Sequence, residues 1–287
     1  MSNLKTRVVT VLLLVTAVLF VAAAGEVFDL YPSSELENGS IRFLHLQGAD
    51  CAVVKCDDKI ILINAGSGID GGAAVEKALR TIGVTQIDAL ILQSGSSSHL
   101  GGTLRILDNF PVKTLVCHAD LFSDNSIAAN TALAIAKEKQ TAVKYVKSGD
   151  SLNFGDALFE FAWFFDNVPP ENRSFTLSLK MYGKSFLFAG NGLSVNEREM
   201  LDSVSLSRHD VYVAANNGSG YCNYTDLLDA VKPQICVVSC GNGEDKTPAP
   251  HKTFLKRIED RSIRLYTTEN NGDIVFLCES DKIKTQK

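Results

Sequence analysis

Four apolar runs of this chain stop abruptly in asparagine, serine and glycine, and those endings constrain its fold more than any other feature. "ILINAG" ends at Asn64-Ala65-Gly66, and "IDALIL" runs into "QSGSSSHLGG", Gln93 to Gly102. "SFLFAGNG" ends at Gly190-Asn191-Gly192, and "VYVAANNGS" at Asn216-Asn217-Gly218-Ser219. A short continuous apolar run bounded by turn residues reads as a buried strand. Asn and Gly are ordinary turn residues because they tolerate left-handed backbone, so any one of these loops alone reads as a turn. Together they read as the rim of a site, since α/β sheets gather ligands where strands open into loops.

Helical patterns separate several of the strands. "GGAAVEKALRTIG" places Val75, Ala78, Leu79 and Ile82 on one apolar face, with Gly83 as a left-handed cap. "LGGTLRILDNFP" reads as a short helix stopped before Pro111, and "NSIAANTALAIAKEKQ" as a helix capped by Asn125 or Ser126. A meander is expected from "AVKYV" through "SLNFG", "ALFEFAWFF" and "FTLSLKMYG" to "KSFLFAG", and a terminal hairpin across Asn270–Gly272. Alternating strands and helices at both ends, with a meander between, predict two sheets packed face to face with helices outside.

Lys5 and Arg7 precede an uncharged apolar run, Val8 to Ala24, which ends in small residues. That pattern fits a secretory signal peptide with Ala22 and Ala24 before the cleavage point, or an uncleaved membrane anchor. Residues 1–24 are therefore expected to be a signal or anchor, 25–39 a linker and 40–287 the folded domain. Either way the domain is expected to be extracytoplasmic, with the membrane as a partner through residues 8–24 if the segment is retained. Losing Lys5 and Arg7 takes the net charge from −5 to −7, which argues against nucleic acid as a partner held by charge. The seven cysteines sit mostly within hydrophobic runs and include no C-x-x-C. Cys236 and Cys240, four apart on a strand, would lie ~13 Å apart and could not bridge. Buried thiols are the expectation, with a long-range disulfide left open.

In order and spacing, these segments resemble the metallo-β-lactamase fold, and in particular the exported lactamase-like domain of the ComEC competence proteins, which take up DNA. "IRFLHLQGADCAVV" resembles that family's opening strand, Gln-Gly-Asp turn and second strand. "ILINAG" resembles its "LIDAG", "ALILQSGSSSHLGG" its "LTHxHxDHxGG", "SFLFAGN" its "FLxTGD" and "ANNGSG" its "HHGS". "VVSCGNGEDKTPAPHKTFLKRI" and "LYTTENNGDIVF" resemble its closing segment. The resemblance implies a four-layer αββα sandwich behind the N-terminal hydrophobic segment.

The family holds one or two metal ions, usually zinc, and here the ligands depart from its pattern. The resemblance puts Ser94, Ser96 and Ser98 where it has His, His and Asp, and leaves His99 in place. Asn191 and Asn64 stand for aspartates, and Asn216 and Asn217 for a His pair. Amides and hydroxyls are poor zinc ligands, so neither metal nor other cofactor is expected. The degenerate pocket would be Asn64, Ser94, Ser96, Ser98, His99, Asn191, Asn216 and Asn217. The reading that follows is a metal-free pseudoenzyme that binds a ligand or protein partner. The alternative is a hydrolase with a degenerate or rebuilt site: a metal held by His99 with His118, His209 or His251, or Ser96 or Ser98 activated by His99. No acid stands out near His99 in the loop itself.

Overall fold

The computed structural model describes residues 36–46, 49–122, 127–165, 168, 173–240, 250–280 and 282–286. The hydrophobic run, most of the expected linker, the Gln47-Gly48 turn and the Asn125/Ser126 cap lie outside the described residues. Two mixed sheets form the body. The first runs β15 (Ile283–Gln286), β14 (Ile274–Cys278), β1 (Ser40–Phe43), β2 (Ala52–Cys56), β3 (Lys59–Ile63), β4 (Ile87–Ile91), β5 (Val112–Cys117), β6 (Ala142–Tyr145). The second runs β13 (Arg264–Thr267), β12 (Ile235–Val238), β11 (Val211–Val213), β10 (Lys184–Phe188), β9 (Ser174–Met181), β8 (Ala157–Phe165), β7 (Ser151–Phe154).

Parallel pairing joins β3 to β6 in the first sheet and β10 to β13 in the second. Such strands are buried on both faces, which is why "IDALI" is buried throughout. Parallel neighbours need crossovers, and helices supply most of them. In the first half these are α1 (Gly68–Thr81), α2 (Ser97–Leu100), α3 (Thr103–Asn109) and α4 (Ile127–Glu138). In the second half they are α5 (Ser194–Ser203), α6 (Thr225–Val231) and α7 (Lys252–Glu259).

Val75, Leu79 and Ile82 are buried, and Gly83 takes φ +76 just after the helix, as the apolar stripe and cap predict. In the second sheet side chains alternate between two cores. Phe186, Phe188, Val211, Val213 and Val237 join the large core that also holds the first sheet. Leu187, Tyr212, Cys236 and Val238 join a smaller core with Met200, Leu227, Leu228, Phe254 and Ile258 of the helices. That period of two is the pleat of a sheet covered on both sides. All seven cysteines are free and buried.

Two sequence expectations need correction. Ala142–Tyr145 is not part of the meander: it pairs in parallel with β5 at the edge of the first sheet. The antiparallel meander is β7 to β10, all in the second. The last two long strands are not a hairpin either. β13 pairs in parallel with β12, whereas β14 pairs antiparallel with β1, so the chain changes sheet through the short helix α8 (Thr268–Asn271). Turn chemistry at Asn270–Gly272 reports a reversal of direction, not which sheet receives the next strand.

Candidate functional site at the strand ends

The two sheets are joined at the mouth of β4. Ser94 forms an isolated antiparallel bridge with Ser174 at the start of β9. Phe175 N donates to Gln93 O at 2.9 Å, and Gln93 Nε2 returns a bond to Phe175 O at 3.0 Å. The loop after Ser94 folds back as α2 and docks on the loop after β3. Ala65 N donates to His99 O at 2.8 Å, and Gly102 N to Gly66 O at 3.2 Å. Glycine is required there: a β-carbon on Gly101 would overlap Gly68 N, and one on Gly102 would overlap the Ala65 carbonyl. The backbone approach read from Gly101-Gly102 is therefore present.

Ser94 and His99 are fully buried, while Ser96 and Ser98 are half-buried. Ser94 Oγ lies 2.6 Å from His99 Nδ1 and 2.9 Å from Ser96 Oγ, which in turn lies 3.0 Å from Ser98 Oγ. Asn191 Nδ2 donates to Ser96 Oγ at 2.9 Å and Ser94 Oγ at 3.3 Å. The other ring nitrogen of His99 meets Asp50 Oδ2 at 2.7 Å. Asn216 reaches the same group by donating Nδ2 to the Asn191 carbonyl at 3.0 Å.

Two of the eight positions stand apart. Asn64 exchanges bonds with Gln93, Nδ2 to Oε1 at 3.2 Å and Oδ1 from the Gln93 amide at 3.0 Å. Asn217 donates to Ser239 O at 2.8 Å. Asn64, Asn216 and Asn217 all have left-handed backbone, φ 61, 46 and 54, a region Asn enters more readily than most residues. A cleft of about 330 Å³, counting space open to solvent, borders the cluster, with Asp50, Asn64, Gln93 and His99 on its wall.

Sequence reasoning missed three contributors. Asp50 is the acid that the serine loop lacks, brought from the β1–β2 turn; its place in the segment resembling the family's Gln-Gly-Asp turn was the available signal. Gln93 and Asn223 carried no signal beyond being polar. Asn223 is fully buried and sets the 216–217 loop: its Oδ1 accepts from Ala215 N and Tyr212 Oη at 2.7 Å, and its Nδ2 donates to Ser219 O at 3.1 Å. Its own amide and that of Tyr224 donate to Glu197. Burial pushes the Glu197 carboxyl up to about 7, against the pull of those two amides and Arg257.

The donor set fits a metal poorly. Both ring nitrogens of His99 are committed, and the other seven positions are neutral amides or hydroxyls. The other histidines that the sequence offered make contacts of their own. His118 stacks on Phe164 at 3.6 Å between centroids. His209 bonds Ser178 and Ser207, and His251 accepts from Thr253 N at the start of α7. Among the described residues no group of three or more His, Cys, Asp or Glu side chains could hold a metal ion.

This architecture is that of the metallo-β-lactamase fold. Solved structures with that fold include YhfI from Bacillus subtilis, with a TM-score of 0.54 and 10% identity over 82% of this chain and 98% of that one. Igni18, a metallo hydrolase from the archaeon Ignicoccus hospitalis, gives 0.56 and 12% over 84% of this chain and 100% of that one. CmlA, a diiron β-hydroxylase from Streptomyces venezuelae, gives 0.56 and 14% over 85% and 55%. Such identities establish the fold alone. In sequence the chain resembles ComE operon protein 3 of Bacillus subtilis, 26% identical over 196 residues. Those residues are 68% of this chain and 25% of that protein, so the match spans about a quarter of the relative's length. No protein-family profile matches.

Proposed function

We propose that this chain is an exported lactamase-fold domain that works without metal, as a pseudoenzyme binding a ligand or protein partner at its strand ends. The observation that carries the reading is the closed network among the former ligand positions. Ser94, Ser96, Ser98, His99 and Asn191 bond one another, and Asp50 completes the histidine. A metal site of this fold would need those positions free, anionic or imidazole, and aimed at one point. Here hydroxyls, an amide and the imidazole satisfy one another, the Asp50 carboxylate is paired with His99, and among the described residues of the cluster no carboxylate pair awaits a cation. Export, with residues 8–24 as signal or anchor, rests on the charge and hydropathy of the N-terminus and on the resemblance to ComEC proteins. Among the described residues no helix is long and apolar enough to cross a membrane.

The test is elemental analysis of the dialysed protein with thermal unfolding in the presence and absence of chelator. Well under one zinc per chain and an unchanged midpoint are expected, because a bound metal would stabilise the fold by mass action. Stoichiometric, chelator-sensitive zinc would overturn the reading. A complementary variant restores the family's ligands: Ser94→His, Ser96→His, Ser98→Asp, Asn191→Asp, Asn216→His and Asn217→His. It is expected to bind zinc by calorimetry and to be less stable than the parent until zinc is added.

A further inference from the structure

We propose that the outer edge of α5 and α6 is a two-fold interface between copies of this chain, in which Tyr221 of each copy fills a groove on the other. The inference goes beyond the pocket reading and uses a different surface. Six large apolar or aromatic side chains are exposed among the described residues, and three of them, Val195, Tyr221 and Tyr224, stand together here. Exposed apolar groups scattered singly need no explanation, whereas neighbours around one concavity mark a contact surface.

The groove runs between the two helices. Val195 and Leu201 of α5 line one wall, and Leu227 of α6 and Tyr224 just before it line the other. Its volume is about 620 Å³, counting space open to solvent. Clefts of ~300–1,000 Å³ hold small organic ligands, so one phenol ring has room. The wall is firm on the Tyr224 side, because the Arg257 guanidinium lies 4.2 Å from the centroid of that ring.

Tyr221 is held out as a knob. Its residue is 78% exposed, yet its backbone is fixed on every side. Ser194 N donates to Tyr221 O at 3.1 Å, and Tyr221 N donates to Ser219 Oγ at 3.2 Å. Arg257 donates to Gly220 O at 3.3 Å and to Cys222 O at 2.8 Å, clamping the residues before and after. An aromatic side chain on a fixed backbone loses little entropy on docking, and tyrosines of that kind anchor interfaces. The groove opens next to it, since Ser194, which holds the Tyr221 carbonyl, also lines the groove.

Charge selects a second copy as the occupant. Arg198 on α5 and Asp226 on α6 border the groove 3.9 Å apart, with side chains 77% and 71% exposed. A pair so exposed contributes little within one chain. A partner surface of a single charge sign would meet one of the two unfavourably. A two-fold copy satisfies both, because in such a contact Arg198 meets the partner's Asp226 while Asp226 meets the partner's Arg198. Knob and groove obey the same reciprocity: they lie side by side on one face, and each complements the other across the axis.

The experiment is sedimentation of the full chain over a range of concentrations, in a density-matched detergent that keeps the Val8–Ala24 run in solution. A monomer–dimer equilibrium is expected for the parent. Tyr221→Ala is expected to weaken it by ~30-fold or more, the scale of an interface hot spot. Arg198→Asp and Asp226→Arg each place two like-charge contacts in the dimer and are expected to weaken it by ~10²-fold. Mixing those two variants is expected to restore dimers, since each chain then meets the opposite charge in its partner. Within each chain the like-charge pair persists in the mixture, so rescue reports the contact between copies alone. All three side chains are largely exposed, and near-UV circular dichroism checks that each variant is folded. A parent that stays monomeric at its highest soluble concentration would overturn the proposal, as would association indifferent to Tyr221, Arg198 and Asp226. Failure of the mixed variants to associate would overturn the two-fold pairing. Zinc content does not enter this measurement, so the metal-free reading stands or falls separately.

Discussion

Two buried polar networks meet at the mouth of this fold, and they are built differently. The Ser94–Ser96–Ser98–His99–Asp50 row is almost wholly side chain to side chain. The Glu197–Asn223 network is largely side chain to backbone: Glu197 takes the Asn223 and Tyr224 amides, and Asn223 takes Ala215 N, Ala215 O and Ser219 O. Bonds to backbone fix the course of a chain, because a lost partner leaves a buried peptide group unsatisfied. Bonds among hydroxyls and a ring fix only rotamers and proton positions. The second network therefore holds the loop that carries Asn216 and Asn217, and the first sets the rotamers of the serines and the ring.

The comparison breaks most readily at Glu197. Glu197→Ala strands two amides and leaves a small cavity, so a loss of about 2–4 kcal/mol is expected in denaturant unfolding. A loss no larger than that for a surface residue would mean the loop is held by something else. Next comes pH. The Glu197 carboxyl titrates near 7 in the fold against its ordinary 4.5, so the folded state keeps a proton that the unfolded chain releases between those values. Stability from this group is full below about 4.5 and falls as pH rises through 7, by about 3 kcal/mol. Urea midpoints measured from pH 4.5 to 8 are expected to show that fall in the parent relative to Glu197→Gln. Parallel curves for the two proteins would remove the carboxyl from the account.

Ser94→Ala gives the smallest effect. It removes the donor to His99 Nδ1 and one acceptor of Asn191, and a loss of about 1 kcal/mol is expected. A loss matching that of Glu197→Ala would show that the serine row is a framework as much as the Asn223 hub is, and the distinction between the networks would fail.

The pocket was legible in the sequence where composition is local. Ser94, Ser96, Ser98 and His99 stand within six residues, so any fold that ends a strand at Leu92 presents them together. Gly101-Gly102 likewise announced a close backbone approach, which Gly68 N and the Ala65 carbonyl supply. Asp50 was not legible as a partner. It lies 49 residues from His99 in sequence and reaches it only because β2 lies beside β3, and β3 beside β4. Glu197 was equally silent, as one of two acidic residues in "NEREM" until α5 turns it inward.

The sequence by itself determined the apolar strands, their order and the neutral polar loops that end them. Those are properties of residue type and short-range period, and each strand carries them alone. The tertiary structure decided which sheet receives β6 and β14, which acid meets His99, and which serine faces solvent. Sheet membership depends on pairing between distant segments, because each of these strands could satisfy its backbone bonds in either sheet. Burial of Ser94 beside an accessible Ser96 depends on the Ser94–Ser174 bridge between sheets, a contact of two residues 80 positions apart that no local pattern encodes.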